Sequence, residues 1–278
     1  MGIGCNAAGV VGCRIIDSPR ERLIAILTNS LVPCNGRFPT LLMLITLFFM
    51  GAGSGGNPFL SSLATAGILT GFILLGVGAN LFSTWLLSKT VLKGMPSSFT
   101  LELPPYRRPQ LGKVIIRSIM DRTLFVLGRA IAVAAPAGLI IWLTANLYVD
   151  GQSVLWHFYN FLDPIGRFLG MDGIILVGFI LGFPANEIVV PVILMAYLQT
   201  GALVEMSDNS ALFGLLSAHG WTVKTALCMA VFSLFHWPCS TTCLTIKKET
   251  GSIKWTIIAV LLPTSIGVVL CALINFLL

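Results

Sequence analysis

The sequence predicts an all-α, polytopic helical membrane protein, with about five to six spans and a re-entrant or broken helix near residues 173–200. Apolar residues make up 56% of the chain and charged residues only 10%, against about a quarter charged in a soluble domain. Charges are absent from residues 59–87, 131–148 and 257–278, each long enough to cross a bilayer at about 18 residues or more. Prolines and glycines interrupt the remaining apolar stretches, and the breaks carry cysteine, asparagine and glutamate.

Residues 1–13 are glycine-rich, and Ser18-Pro19-Arg20-Glu21 then supplies a cap, a first-turn proline and a glutamate three residues on, which together start a helix. That helix runs to about residue 32, and Arg20 and Arg22 suit it to water or an interface. Pro33-Cys34-Asn35-Gly36-Arg37-Phe38-Pro39 forbids a continuous helix and reads as a turn at the membrane surface. Spans follow at 38–52, 59–87 and 123–148, with a tight uncharged loop at 51–58.

Between the second and third of these spans, residues 88–122 hold Lys89, Lys93, Arg107, Arg108, Lys113, Arg117 and Arg122 against only Glu102 and Asp121, which makes the loop cytoplasmic. Asp150, Asp163 and Asp172, with a single Arg167, place 150–172 on the far side, where Trp156, Phe158 and Tyr159 suit the interface. Residues 173–200 are apolar but broken by Gly182-Phe183-Pro184-Ala185-Asn186-Glu187. A single crossing there would put 201–221 inside without a Lys or Arg, and Lys247, Lys248 and Lys254 outside. Entry and exit on one face removes both violations, so the segment is expected to be a pair of half-helices. Spans at 221–238 and 255–278 complete the chain. The net charge of +6 is spread over short clusters between apolar segments, which suits anionic lipid and not nucleic acid. The seven cysteines sit mostly in apolar sequence and read as free thiols.

A carboxylate such as Glu187 inside hydrocarbon costs several kcal/mol unless it faces a wet cavity or a partner, and this favours a substrate or proton site. The plainer reading is a structural glutamate paired with a neighbouring helix. Gly182 and Pro184 free backbone carbonyls beside it, the usual oxygen donors of a cation path. In His236-Trp237-Pro238-Cys239-Ser240-Thr241-Thr242-Cys243, a turn of about 100° per residue puts His236, Cys239 and Cys243 on one face. Cys228 would share that face if the helix were straight, which Pro238 opposes. Thiolate and imidazole suit a soft or borderline transition metal, and the alternative is that these cysteines only pack. Cys5 and Cys34 lie in chain breaks that could bring a thiol to a pore; Cys13 and Cys271 read as packing residues, and His157 and His219 as interface or loop residues. No phosphate-binding loop, zinc-protease motif or serine-hydrolase elbow occurs, so the chain reads as no enzyme, with any energy input coming from elsewhere.

Read together, the motifs resemble the membrane region of the FeoB family of bacterial ferrous-iron transporters. Gly4-Cys5-Asn6 followed by Arg14 is similar to the end of the family's first gate region, and Cys34-Asn35-Gly36-Arg37-Phe38-Pro39 to its cysteine-x-x-arginine-x-proline signature. Glu102-Leu103-Pro104-Pro105-Tyr106-Arg107 resembles its cytoplasmic loop, and Gly182-Phe183-Pro184-Ala185-Asn186-Glu187-Ile188-Val189-Val190 the heart of its second gate. Pro238-Cys239 with the stretch from Lys247-Lys248-Glu249 to Trp255 resembles its last signature.

The resemblance implies a permease for Fe²⁺ in the bacterial cytoplasmic membrane, with Fe²⁺ as cargo, no permanently bound cofactor, and GTP acting only through a separate domain or chain. It also admits a homo-oligomer. It maps the ion path onto Cys5, Cys34 and Cys239, beside which Glu187, Cys243 and His236 are ligand candidates and Asn6, Asn35, Gly182, Pro184, Asn186 and Pro238 line the gate. Regions follow at 1–36 (end of the first gate and the interfacial helix), 37–122 (central membrane region) and 123–278 (second gate and last spans). The family's related gates imply that 4–11 and 182–190 correspond as paired broken helices, so that Cys5 and Glu187 face one another. Asn186 departs from the lysine found in many members, and the amino-terminal GTP-binding domain is missing, which suggests a fragment or half of a split transporter. The rival readings are a nucleoside or other solute transporter of gate-type architecture, and a scaffold that transports nothing.

Overall fold

The computed structural model describes residues 2–49, 58–92, 112–113, 116, 125–149, 151–206 and 208–278. Most of the expected cytoplasmic loop with its motif at 102–107, most of the loop at 51–58, and Asp150 lie outside the described residues.

Within the described residues the regular structure is helical apart from a short hairpin, Tyr148–Val149 against Gln152–Ser153. The helices are α1 (Asn6–Gly12), α2 (Pro19–Thr28), α3 (Phe38–Leu44, extended by a π turn at Ile45–Phe49) and α4 (Pro58–Lys89). After them come α5 (Phe125–Asn146), α6 (Val154–Phe168), α7 (Gly173–Leu181) and α8 (Val189–Leu198). The last four are α9 (Asn209–Ala218), α10 (Val223–Phe235), α11 (Ser240–Thr250) and α12 (Ile253–Leu277). Four helical stretches are long and apolar enough to cross a membrane, Pro19–Phe49, Phe59–Lys89, Val223–Thr250 and Ile253–Leu277. The pair α6 and α7, bent by 109°, makes a fifth if taken as one span. The protein is a multi-pass helical membrane protein.

Local chemistry accounts for the helix starts. Ser18 Oγ accepts from Glu21 N at 3.4 Å with Pro19 at the first position, Asp172 Oδ1 from Ile175 N at 2.7 Å, and Thr222 Oγ1 from Thr225 N at 3.3 Å. Each satisfies an orphan N–H of a first turn. Gly251, at φ +64°, stops α11 in the left-handed region that favours glycine.

The expected half-helices are α7 and α8, and they fold back on each other. A Cβ at Gly178 would fall 2.6 Å from Ile193 Cγ1, and one at Gly182 2.5 Å from Val189 Cγ2. Position numbers rise along one helix as they fall along the other, so the two are antiparallel and the segment enters and leaves on the same side. A second close pair was not visible in the sequence, where 150–172 read as a far-side segment with interfacial aromatics. In the structure α6 turns by 109° into α7 and packs against its start, where a Cβ at Gly173 would meet Tyr159 O at 2.6 Å and one at Gly166 would meet Asp172 C at 2.6 Å. Small residues let backbones approach where lipid gives no hydrophobic drive for helices to associate.

Charges mark the two ends. At one end Arg14 makes a two-pronged pair with Glu249 at 2.6 and 2.7 Å, and Arg20 donates to Leu92 O and Ser88 O. These bonds gather the end of α1, the start of α2 and the ends of α4 and α11. Lys89, Lys247, Lys248 and Lys254 lie in the same neighbourhood by sequence, so this is the basic end of the bundle. At the other end Asp163 pairs with Arg167 at 2.7 Å, Tyr197 donates to Asp172, and Asn275 near the end of α12 donates to Arg167 O and Phe168 O at 3.0 Å.

Candidate functional site

Two of the spans are broken near their middles and run in opposite directions. The first leaves the charged end as α2, breaks at residues 29–37, and continues as α3 to the far end, where Phe48 stacks on Trp221 with centroids 5.9 Å apart. The second starts at that far end as α10, breaks at 236–239, and returns as α11. Each break carries a Pro-Cys pair, Pro33-Cys34 and Pro238-Cys239, with the cysteine extended at φ −90°, ψ 167° and φ −61°, ψ 159°. Proline removes a donor at the break and fixes the chain out of the helix.

Two half-helices begin beside these breaks. Cys5 caps α1 at φ −155°, ψ 123°, and Ala185 caps the turn leading to α8 at φ −150°, ψ 121°. A buried asparagine follows each cap, Asn6 and Asn186. Cys5 and Ala185 thus share an extended conformation, each followed by a buried asparagine.

The breaks meet at Asn186. Its side chain lies between Cys34 and His236, with Nδ2 3.8 Å from Cys34 Sγ and Oδ1 3.2 Å from His236 Nε2. His236 Nδ1 sits 2.8 Å from Ser233 O and 3.2 Å from Phe232 O, acceptors that require an N–H there. A neutral ring then carries its lone pair at Nε2. The amide orientation that satisfies all three groups turns Nδ2 toward Nε2 and lets Oδ1 accept from the Cys34 thiol. Asn186 thus fills the space between a sulfur and an imidazole lone pair.

Around this contact Asn35 N donates to Gly4 O at 3.3 Å, and Ser240 N to Phe183 O at 2.9 Å. A Cβ at Gly36 would lie 3.8 Å from Glu187 Oε2. The stretches at 4–5, 34–37, 182–187 and 236–240 thus come together, far apart as they are in sequence. Asn29 Nδ2 donates to Asn6 O at 2.8 Å, while Asn6 Oδ1 is buried without a hydrogen-bond partner among the described residues.

Arg37 holds the junction. Its side chain is buried, with Nη1 donating to Ser30 O at 3.0 Å and Leu234 O at 2.7 Å, and Nη2 to His236 O at 3.1 Å. One guanidinium therefore satisfies orphan carbonyls of both broken spans. Sequence reasoning placed Arg37 only within a signature. The available signal was a lone arginine between two prolines in an apolar stretch, since a buried cation must find partners.

The remaining candidates scatter. Cys5 is exposed and Cys34 buried. Cys239 caps α11 with Sγ 3.2 Å from Thr242 Oγ1, and Cys243 Sγ donates to Pro238 O at 3.5 Å. His236 lies in the break and not on a continuous helix with these two, so the common face expected for His236, Cys239 and Cys243 is not formed. Cys228 is remote from them, accepting at its carbonyl from Cys271 Sγ at 3.3 Å; the turn at Pro238 changes the phase that a straight helix would keep. Glu187 is exposed and forms no salt bridge among the described residues. Among the described residues no three His, Cys, Asp or Glu side chains stand close enough to hold a metal ion together. His219 is exposed with its ring 4.2 Å from that of Tyr197. Cys13, outside the spans, has its thiol pushed up by burial and then by Glu249.

Residues 69–121 match a family profile described as the ferrous iron transport protein B C terminus, and residues 127–253 match one described as nucleoside recognition, of the gate type. The chain is 29% identical over 274 residues to the Fe(2+) transporter FeoB of Staphylococcus aureus (strain MSSA476), covering 95% of this chain and 37% of that one. It is 26% identical over 272 residues to the FeoB of Leptospira interrogans serovar Lai (strain 56601), covering 90% and 38%. With the FeoB of Methanocaldococcus jannaschii it shares 28% identity over 274 residues, covering 94% and 38%. The chain thus spans little more than a third of the length of these relatives. No solved structure matches.

Proposed function

We propose that this chain, which belongs to the FeoB family and corresponds to its carboxy-terminal region, is the membrane permease part of a ferrous iron importer. The supporting observation is the meeting of Cys34, Asn186 and His236 where backbone breaks converge inside a membrane bundle. An Fe²⁺ ion entering from the far end sheds water there and passes among Cys34, Cys5, Cys239 and the Glu187 region. His236 and Cys243 serve as further donors, and Asn6, Asn35, Gly182, Pro184 and Pro238 shape the passage. Sulfur, nitrogen and oxygen donors together suit a borderline ion such as Fe²⁺ better than Mg²⁺ or Ca²⁺.

The described side chains fit a relay better than a cage. Among the described residues no three candidate ligands are gathered, and an ion held by few donors at a time leaves as readily as it arrives, which conduction requires. Asn186 acts as the plug of this relay. Where it withdraws its amide, the sulfur of Cys34 and the lone pair of His236 face a common space. Energy for gating comes from a GTP-binding domain elsewhere in the longer protein, and the membrane is the bacterial cytoplasmic one.

The nucleoside-recognition match keeps a second substrate class in view, because buried asparagines at helix breaks also suit a ribose. Uptake of radioactive iron by cells lacking their own ferrous uptake, expressing the full-length protein, separates the two. Competition by Mn²⁺ or Co²⁺ and none by uridine supports the metal reading; competition by uridine alone overturns it.

A further inference from the structure

Between α4 and α12 lies an apolar groove of about 790 Å³, floored by the buried ring of Phe235 from α10. From Leu74 to Leu86, at about 1.5 Å of rise per residue, it runs about 18 Å, close to the roughly 15 Å of hydrocarbon in one leaflet. Small residues, Gly78, Ala79, Ser83 and Ser265, leave it deep. Phe82 and Leu261, both more than half exposed, stand at its rims.

The two helices run in opposite directions, since α4 ends at the basic end while α12 starts there and reaches the other end at Asn275. Each carries a lysine just past the same end of the groove. On α4 the groove face repeats at Leu75, Ala79, Phe82 and Leu86, and the next place in that rhythm is Lys89. On α12 it repeats at Ile258, Leu261 and Ser265, and one turn before Ile258 the same face holds Lys254. The Lys89 ammonium sits 4.6 Å from the Trp85 ring centroid and the Lys254 ammonium 5.9 Å from that of Trp255, as amphipathic side chains do at a membrane–water boundary. Neither lysine forms a salt bridge among the described residues. An apolar trough about one leaflet deep thus ends between two positive charges.

We propose that the groove binds one anionic glycerophospholipid from the leaflet at the basic end, with its phosphate between Lys89 and Lys254 and an acyl chain along the trough. The inference stands apart from the transport reading and holds whatever the chain carries. Charge selects the occupant, because a zwitterionic lipid brings its own ammonium to the same two lysines. A further spanning helix, at about 30 Å, would overrun the trough by about 12 Å, and an apolar span brings no anion to the lysines. Basic residues at the mouth of a cleft between spanning helices suit an anionic headgroup. The tail lies against Phe235, the residue before His236, so the lipid packs on α10 just ahead of its break.

The test reads lipid retention by native mass spectrometry of the purified full-length protein, given phosphatidylglycerol or phosphatidylcholine at equal concentration. The wild type should retain one phosphatidylglycerol at least about tenfold better than phosphatidylcholine, as two lysines near one anion allow. Lys89→Gln with Lys254→Gln should bring that preference within about twofold, whereas Lys247→Gln with Lys248→Gln, an equal loss of charge on α11, should keep it. Excess inorganic phosphate should displace nothing, since it has no acyl chain to seat. In a second arm that leaves both lysines in place, a photoreactive phenylalanine analogue at position 82 should cross-link to lipid in intact membranes. Equal retention of the two lipids by the wild type, or a preference that the Lys89 and Lys254 changes leave intact, overturns the site. Displacement by inorganic phosphate overturns it in favour of a bare anion contact. An adduct from position 82 to protein alone overturns it in favour of a packed helix.

Discussion

Asn186 and His236 touch at 3.2 Å across the break between α7 and α8 and the break between α10 and α11. The contact ties the tip of a re-entrant hairpin to the middle of a spanning helix, and Cys34 reaches the same amide from a third direction. Asn186→Leu keeps the branched shape and deprives Cys34 and His236 of their amide partner. It should lower Fe²⁺ uptake at least about tenfold and cost about 1–3 kcal/mol of stability through the unpaired imidazole nitrogen. Uptake and thermal unfolding of the same preparation check this; an Asn186→Leu protein with wild-type uptake would remove the amide from the path.

Arg37 makes a separate demand. Replacing it with methionine keeps the apolar stem but leaves the carbonyls of Ser30, Leu234 and His236 without their donor. The expected loss is about 1–3 kcal/mol for each buried carbonyl left unpaired, visible as a large drop in thermal midpoint in detergent. Arg37→Lys should recover part of it, since a lysine keeps the charge but lacks the planar fork that reaches both spans.

The hairpin of α7 and α8 depends on two glycines. Gly178→Val would drive a side chain into Ile193, which already stands 2.6 Å from a bare Cβ. Overpacking of this kind costs about 1–3 kcal/mol and should open the hairpin tip, raising the reactivity of Cys34 toward maleimide. The double variant Gly178→Val with Ile193→Ala should restore protection; continued reactivity would show that the clash is not what opens the tip.

How much of this was legible follows from the kind of signal each feature leaves. The start of α2 was readable because Ser18 and Glu21 act within one turn. The breaks at Pro33, Pro184 and Pro238 were readable because proline acts on its own backbone. The charge argument for a re-entrant segment anticipated the antiparallel α7 and α8. The lie of α6 against α7 was not readable, since it turns on Gly166 and Gly173 meeting backbone from another helix. The role of Arg37 lies in carbonyls about two hundred positions away. The expected face of His236, Cys239 and Cys243 failed because helical counting does not carry across a break, and Cys228 turned instead to Cys271.

Asp208 gives a pH-dependent check outside the spans. Hydrogen bonds from the Ser210 hydroxyl and backbone N–H hold its carboxyl below the usual range. A depressed folded value contributes stability above the unfolded value and loses it as the pH falls through the folded one. Asp208→Asn should therefore loosen the start of α9 at neutral pH, seen as faster amide exchange at 209–212, and the difference from wild type should vanish in acid. A difference that grows on acidification would reverse the assignment.

The most direct test of the junction as the ion path is Fe²⁺ uptake by the full-length protein with Cys34→Ala, Cys239→Ala or Glu187→Ala, in cells without other ferrous uptake and at matched membrane expression. The account predicts a severe loss for Cys34→Ala and substantial losses for the other two. Uptake at the wild-type rate in all three would contradict it.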